Sequence, residues 1–188
     1  MRSFETSASQ SRVLNLQKVA GGSRSRNCRP TDGRIEVCTA AYGNNGWLGL
    51  AQIWITGGEH ITQGVAKLND TYFNTSTYNT PAWRRLVMCQ EVAHDFGLDH
   101  QDENFNNANL GSCMDYTSDP DGPPSNENPN AHDYQQLESI YDHTDSTTTV
   151  GQALPNAMPP AMRQIQFDAP GQWGQLVRSS ANGPRPGV

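Results

Sequence analysis

The hydrophobic and polar positions of the chain fall into a few short elements separated by long polar stretches. The Asp32-Gly33 pair reads as a hairpin-type turn leading into a short strand before Cys38. After the Gly/Asn-rich run at 43–46, an apolar strand is expected from Leu48 to Ile55. The stretch 60–73, HITQGVAKLNDTYF, reads as a further strand with Ile61, Val65 and Leu68 buried. Thr80-Pro81 then opens the clearest helix, with Thr80 as N-cap and proline in the first turn, where its missing N–H costs nothing. Trp83, Leu86, Val87, Val92, Ala93 and Phe96 keep helical spacing, and Gly97 is a natural left-handed stop, so the helix should span 81–96. Residues 101–129 are rich in Asn, Asp, Gly and Pro and read as a long irregular loop. A second helix is expected at 130–142, with Tyr134, Leu137 and Tyr141 on one face. Strands followed by helices give an α+β class.

At 188 residues the chain suits one domain with appended segments. Three regions follow: a Ser/Gly/Arg-rich leader at 1–26, a folded unit at 27–144, and a Pro/Gly/Ser-rich tail at 145–188 expected to be mobile or loosely docked. A net charge of -6 argues against a nucleic-acid partner, which would demand a basic surface. No apolar run approaches the roughly 20 residues of a membrane span.

Four cysteines, Cys28, Cys38, Cys89 and Cys113, contain no Cys-x-x-Cys pair. An even number points to two disulfides and an oxidising or extracellular compartment, with four reduced buried thiols as the alternative. Three pairings are open, of which 28–38 and 89–113 are favoured because each closes a short loop. The first residues lack an apolar signal core, so an exported form is expected to have lost its signal or to carry it outside this sequence.

The chemistry concentrates in 90–100, QEVAHDFGLDH. In a helix, Gln90 and His94 lie one turn apart on the same face, where two donors can grip one metal ion, with Glu91 beside them to act on a water. His100 would sit about 9 Å beyond His94 and on another face if the helix continued. A left-handed Gly97 ends the helix and turns the chain back, so that glycine is as much part of the site as the histidines.

This segment resembles the H-E-x-x-H-x-x-G-x-x-H signature of the metzincin zinc peptidases. Ser112-Cys113-Met114-Asp115-Tyr116 is similar to their Met-turn, and the 133–141 segment to the C-terminal helix of the matrixin-like members. The resemblance implies a twisted mixed sheet, an active-site helix, a Met-turn and a C-terminal helix. It implies Zn2+ as cofactor, a peptide or protein substrate, and hydrolysis with Glu91 as general base. It also implies His94 and His100 as ligands, Met114 as the floor of the site, and Tyr116 as an oxyanion stabiliser or extra ligand, as in the astacin and serralysin branches. An extended peptide would then lie along an edge strand, at 51–55 or 64–69.

One position departs from the pattern. Gln90 stands where the first histidine ligand belongs, and its amide oxygen is a weaker zinc donor than imidazole. The departure motivates a second reading, a catalytically weak or inactive relative that uses its cleft as a peptide- or protein-binding module. His60 is a poor replacement ligand, and His132 and His143 read as surface residues. The acidic loop 99–109 and the turn 119–122 offer oxygen ligands for calcium, but neither follows EF-hand spacing, so solvated loops are favoured there.

Overall fold

The computed structural model describes residues 14–19, 21, 26–56 and 60–144, and the backbone of two further strands in the tail. In chain order the elements are β1 (Ile35–Ala40), β2 (Gly49–Thr56), β3 (His60–Asn69), α1 (Asp70–Phe73), α2 (Pro81–Asp95), α3 (Ala131–Tyr141), β4 (Arg163–Ala169) and β5 (Gln172–Ser180). The fold is mixed α+β. Strands β1, β3 and β2 form a small mixed sheet in which β1 runs parallel and β2 antiparallel to β3. Of the tail, the described part is the antiparallel β4–β5 pair, which continues the sheet from the far side of β2. Most of the leader lies outside the described residues, although Leu14 packs against the main core.

Alternation along the strands decides what each face covers. Gly49, Ala51 and Ile53 of β2 and Gly64, Ala66 and Leu68 of β3 occupy one parity of the pleat, and their glycines abut carboxylates of α2. Trp54 and Val65 take the other and pack with the Cys28–Cys38 disulfide. A register shift after Trp54 brings Ile55 opposite Ile61, where both pack against Ala51 and Ile53. The main core is formed where α2 and α3 meet the loop between them: Trp83, Leu86, Val87 and Ala93 of α2 pack with Phe73, Leu98, Met114 and Leu137.

Both long helices lie within a residue or two of expectation, and their caps explain the bounds. Thr80 accepts a hydrogen bond from the N–H of Trp83 at 3.3 Å, ahead of Pro81. Asn130 and Asp133 form a reciprocal capping box at the start of α3. The stretch DTYF departs from its expected strand and forms the single-turn α1. Asn69 causes this: its side-chain oxygen accepts from the N–H of Thr71 at 3.1 Å and of Tyr42 at 3.0 Å, converting the strand end into a helix cap. The same buried side chain donates to Gly43 O at 2.9 Å, so it also shapes the loop before β2.

The favoured cysteine pairing is present: Cys28–Cys38 and Cys89–Cys113. These bonds are consistent with an oxidising compartment. Among the described residues, no helix is long and apolar enough to cross a membrane. Strand β3 lies inside the sheet, which removes 64–69 as an edge for a peptide; the 51–55 edge of β2 pairs with Arg163–Phe167 of β4.

The second disulfide closes a sequence separation of 24 residues between α2 and the 112–116 turn. Replacing both Cys89 and Cys113 by serine should lower the unfolding free energy by about 3 kcal/mol through loop entropy. Urea denaturation measures this directly; an unchanged midpoint would show that the turn is held without the bond.

Candidate metal centre

Helix α2 turns four polar residues of its C-terminal half inward. Gln90, Glu91, His94 and Asp95 are all buried, in a helix whose neighbours are the core and the sheet. Burial of so many polar groups is costly unless each has a partner or a task.

The helix ends as its sequence suggests. Gly97 has φ +89°, its N–H donates to His94 O at 2.8 Å, and the N–H of Leu98 donates to Ala93 O at 3.1 Å. These two bonds form a Schellman closure, which needs the left-handed residue that glycine supplies. The reversal brings His100 back to His94: the two rings lie 4.5 Å apart, edge to face, with their Nε2 atoms 3.0 Å apart.

The other nitrogen of each ring fixes its tautomer. Nδ1 of His94 is 2.8 Å from Leu98 O, a carbonyl that can only accept, so Nδ1 carries the hydrogen. Nδ1 of His100 is 3.2 Å from the Glu103 carboxylate, again an acceptor. Burial is the main force lowering the pKa of His94 to about 3, with His100 adding to it, and burial lowers that of His100 to about 4. Both rings are therefore neutral at pH 7, and their Nε2 lone pairs face one another. Two lone pairs at this distance repel unless a cation lies between them. Two imidazoles on a tetrahedral zinc, at 2.0–2.1 Å each, would place their nitrogens about 3.3 Å apart, so the pair is close to that requirement.

A third donor is less plainly supplied. Among the described residues, no group of three or more His, Cys, Asp or Glu side chains is placed to hold a metal ion. The side chains that extend the pair are an amide and a phenol. Gln90 is fully buried and neither atom of its amide makes a hydrogen bond, a state that costs about 1–3 kcal/mol. An orphaned buried amide one helical turn before His94 suits a cation ligand. Tyr116 is buried, with its ring 4.6 Å from that of His100 and 4.9 Å from that of Phe105. His94 and His100 could together hold a zinc ion, with Gln90 and Tyr116 as the candidates to complete its shell.

The loop that follows His100 is zipped to the 112–116 turn. Gln101 N–H donates to Met114 O at 2.7 Å and Tyr116 N–H to Asp102 O at 2.9 Å, and Asp102 and Asp115 form a parallel bridge. Met114 is fully buried beneath this crossing. Asp133 of α3 holds the assembly from behind, accepting from Ser112 Oγ and Gln101 Nε2, each at 2.7 Å, and from Asn130 N–H at 2.8 Å. Tyr141 adds a second tie, donating to Phe96 O at 3.0 Å at the end of α2; burial raises its pKa to about 12.

Glu91 and Asp95 lie one turn apart, and each meets a glycine of the sheet. A methyl group at Gly49 would come within 2.3 Å of Glu91 Oε1, and one at Gly64 within 2.9 Å of Asp95 Cγ. Absence of a side chain at Gly49 is what admits the Glu91 carboxylate beside β2. Neither oxygen of Asp95 has a well-formed hydrogen bond; desolvation holds its pKa well above the usual range, and weak approaches from the Val65 and Gln52 backbone offset part of the cost.

Sequence reasoning identified Gln90, Glu91, His94, Gly97, His100, Met114 and Tyr116, and the structure assembles all of them on or beside the α2 end and the 112–116 turn. It missed the roles of Gly49, Ser112 and Asp133, whose partners are distant in sequence, and of Glu103, which lies in a loop read as solvated. His60 is exposed at the start of β3, with its ring 5.7 Å from that of His143, and His132 is exposed on α3. In the calcium candidates, carboxylates are engaged by the loops themselves: Asp102 accepts from Asn104 N–H at 2.7 Å and from the amide of Asn107. No protein-family profile matches the chain, and no curated protein or solved structure matches it either.

Two predictions follow from the glycine contacts. Gly49→Ala should displace Glu91 and cost about 1–3 kcal/mol by overpacking, read as a lower thermal midpoint; an unshifted midpoint with Glu91 in place would refute the close approach. For Asp95, a folded pKa above the unfolded value means that stability is lost as pH rises beyond about 4, at about 1.4 kcal/mol per pH unit until the folded pKa is reached. Asp95→Asn should flatten that slope in chelator-treated protein, and an unchanged pH profile of unfolding would refute the assignment.

Proposed function

We propose that the chain is a metzincin-like, zinc-dependent endopeptidase. The observation that carries this reading is the convergence of two buried, neutral imidazoles through Nε2, beside a buried glutamate of the same helix. His94 and His100 would hold zinc, with Gln90 as the third and weakest donor. When bound, zinc would polarise the scissile carbonyl and lower the pKa of a water molecule.

The remaining chemistry belongs to the protein. The Glu91 carboxylate takes the proton of the attacking water and delivers it to the leaving amine. The Tyr116 phenol, held by its packing on His100 and Phe105, donates a hydrogen bond to the oxyanion. Met114 supplies the apolar floor, and the Cys89–Cys113 bond keeps that floor fixed to α2. A substrate aligned along β2 would take the place of β4 over Ala51–Ile55.

Gln90 favours a second reading, a weakly active or inactive relative whose cleft binds peptides or proteins without cutting them. Like the neutral imidazole it replaces, an amide adds no charge to offset the cation, but it binds the cation less tightly.

Protein purified without chelator and dialysed against trace zinc should carry about one zinc per chain by elemental mass spectrometry, and His94→Ala should lose it. Glu91→Ala should keep the metal and lose peptide cleavage by about two to four orders of magnitude. Gln90→His should bind zinc more tightly than the parent chain. A folded protein that takes up no zinc would sink the hydrolase reading; cleavage absent from both parent and Glu91→Ala, with peptide affinity equal in the two, would favour the binding module.

A further inference from the structure

We propose that Glu103 is the positioning residue for His100, setting its tautomer and ring orientation so that Nε2 faces the cation site. The proposal rests on the reading of His94 and His100 as a metal-binding pair and extends it to the group that prepares the second ligand.

The two histidines are prepared in different ways. His94 lies on α2, and its Nδ1–H meets Leu98 O, a carbonyl fixed by the closure at Gly97. Backbone geometry therefore holds that ring at its Nδ1. His100 lies beyond the helix, where no helical turn restrains χ1, and its acceptor must come from elsewhere. Two carboxylates stand near its Nδ1. Asp99 is 3.9 Å away, outside hydrogen-bond range, and is engaged by the His100 backbone N–H at 2.9 Å. Glu103 Oε1 is at 3.2 Å and accepts from Nδ1.

The backbone delivers Glu103 to this place. Asp102 accepts from Asn104 N–H at 2.7 Å, a turn centred on Glu103, and Asp102 is itself paired with Asp115 and Tyr116 across the loop crossing. The crossing that seats Tyr116 against His100 thus also brings the Glu103 carboxylate to the imidazole. A ligand histidine that donates its second N–H to a carboxylate is held in one tautomer, and loss of such a partner typically weakens metal binding 10- to 100-fold. Glu103 is largely solvent-exposed while the His100 side chain is buried, so the low end of that range is expected.

The test uses the full chain, labelled with 15N and treated with chelator. Long-range imidazole correlations should show His100 as the Nδ1–H tautomer in the parent protein. In Glu103→Ala they should show a shift toward Nε2–H, and in Glu103→Gln, whose amide oxygen still accepts, the Nδ1–H form should return. Zinc affinity by chelator competition should fall about 10-fold in Glu103→Ala and recover at least in part in Glu103→Gln. An unchanged His100 tautomer in Glu103→Ala, with zinc bound as tightly as in the parent chain, overturns the proposal while leaving the metal centre standing. A parent chain that binds no zinc overturns the metal reading and the proposal with it.

Discussion

The candidate centre depends on how the chain leaves helix α2. The bonds from Gly97 to His94 O and from Leu98 to Ala93 O close the helix in a left-handed turn, and three consequences follow from that one reversal. Leu98 O is aimed at the Nδ1 of His94, the chain runs back far enough for His100 to meet His94, and Gln101 reaches Met114. A side chain at position 97 would be strained by the backbone conformation itself, while a methyl group there would meet Ile61 only at an ordinary contact of 3.5 Å. The requirement is conformational, not steric.

Around this reversal the structure is held by cross-links of different chemistry. A disulfide joins Cys89 to Cys113, hydrogen bonds join Gln101 and Asp102 to the 114–116 turn, and Asp133 gathers Ser112, Gln101 and Asn130. Asp133 is nearly fully buried, and a buried carboxylate is tolerable because three donors converge on it. Asp95 is the counter-case in the same protein: equally buried, helped only in part by the backbone of Val65 and Gln52, and pushed toward its neutral form by desolvation. The contrast lies in the donors: three well-placed ones meet Asp133, and only weak backbone approaches meet Asp95.

Much of this was legible in the sequence because it was local. Helical spacing of apolar residues, Thr80-Pro81 and Gly97 fix α2 within a few residues, and the histidines and glutamate ride on that helix. The favoured cysteine pairing was legible for the same reason, since both loops are short. What escaped depends on contacts between distant segments. The DTYF turn forms because buried Asn69 ties Tyr42 to Thr71. Gly49 matters only because Glu91 lies across from it, and a lone glycine at a strand start carries no sign of that. The tail, Thr-, Pro- and Gly-rich at its start, gave no strand signal, yet β4 takes the open side of β2, where backbone pairing is available to any extended segment.

Gln90 is the position where chemistry and stability pull hardest against each other. A fully buried amide with neither atom bonded is a liability of about 1–3 kcal/mol. Leucine or methionine there would remove that cost in a helix otherwise well packed. Next to it, two imidazoles are held with their lone pairs opposed, each locked by an acceptor at Nδ1. An unbonded buried amide beside two imidazoles whose Nε2 atoms face each other is an arrangement that suits a ligand better than plain packing. A cation held between the two Nε2 atoms would separate the opposed lone pairs and would give the Gln90 oxygen, though not its NH2, a partner. The proposal of a metal centre therefore draws on this geometry as well as on the likeness to a motif, and the glutamine that departs from the motif belongs to both arguments.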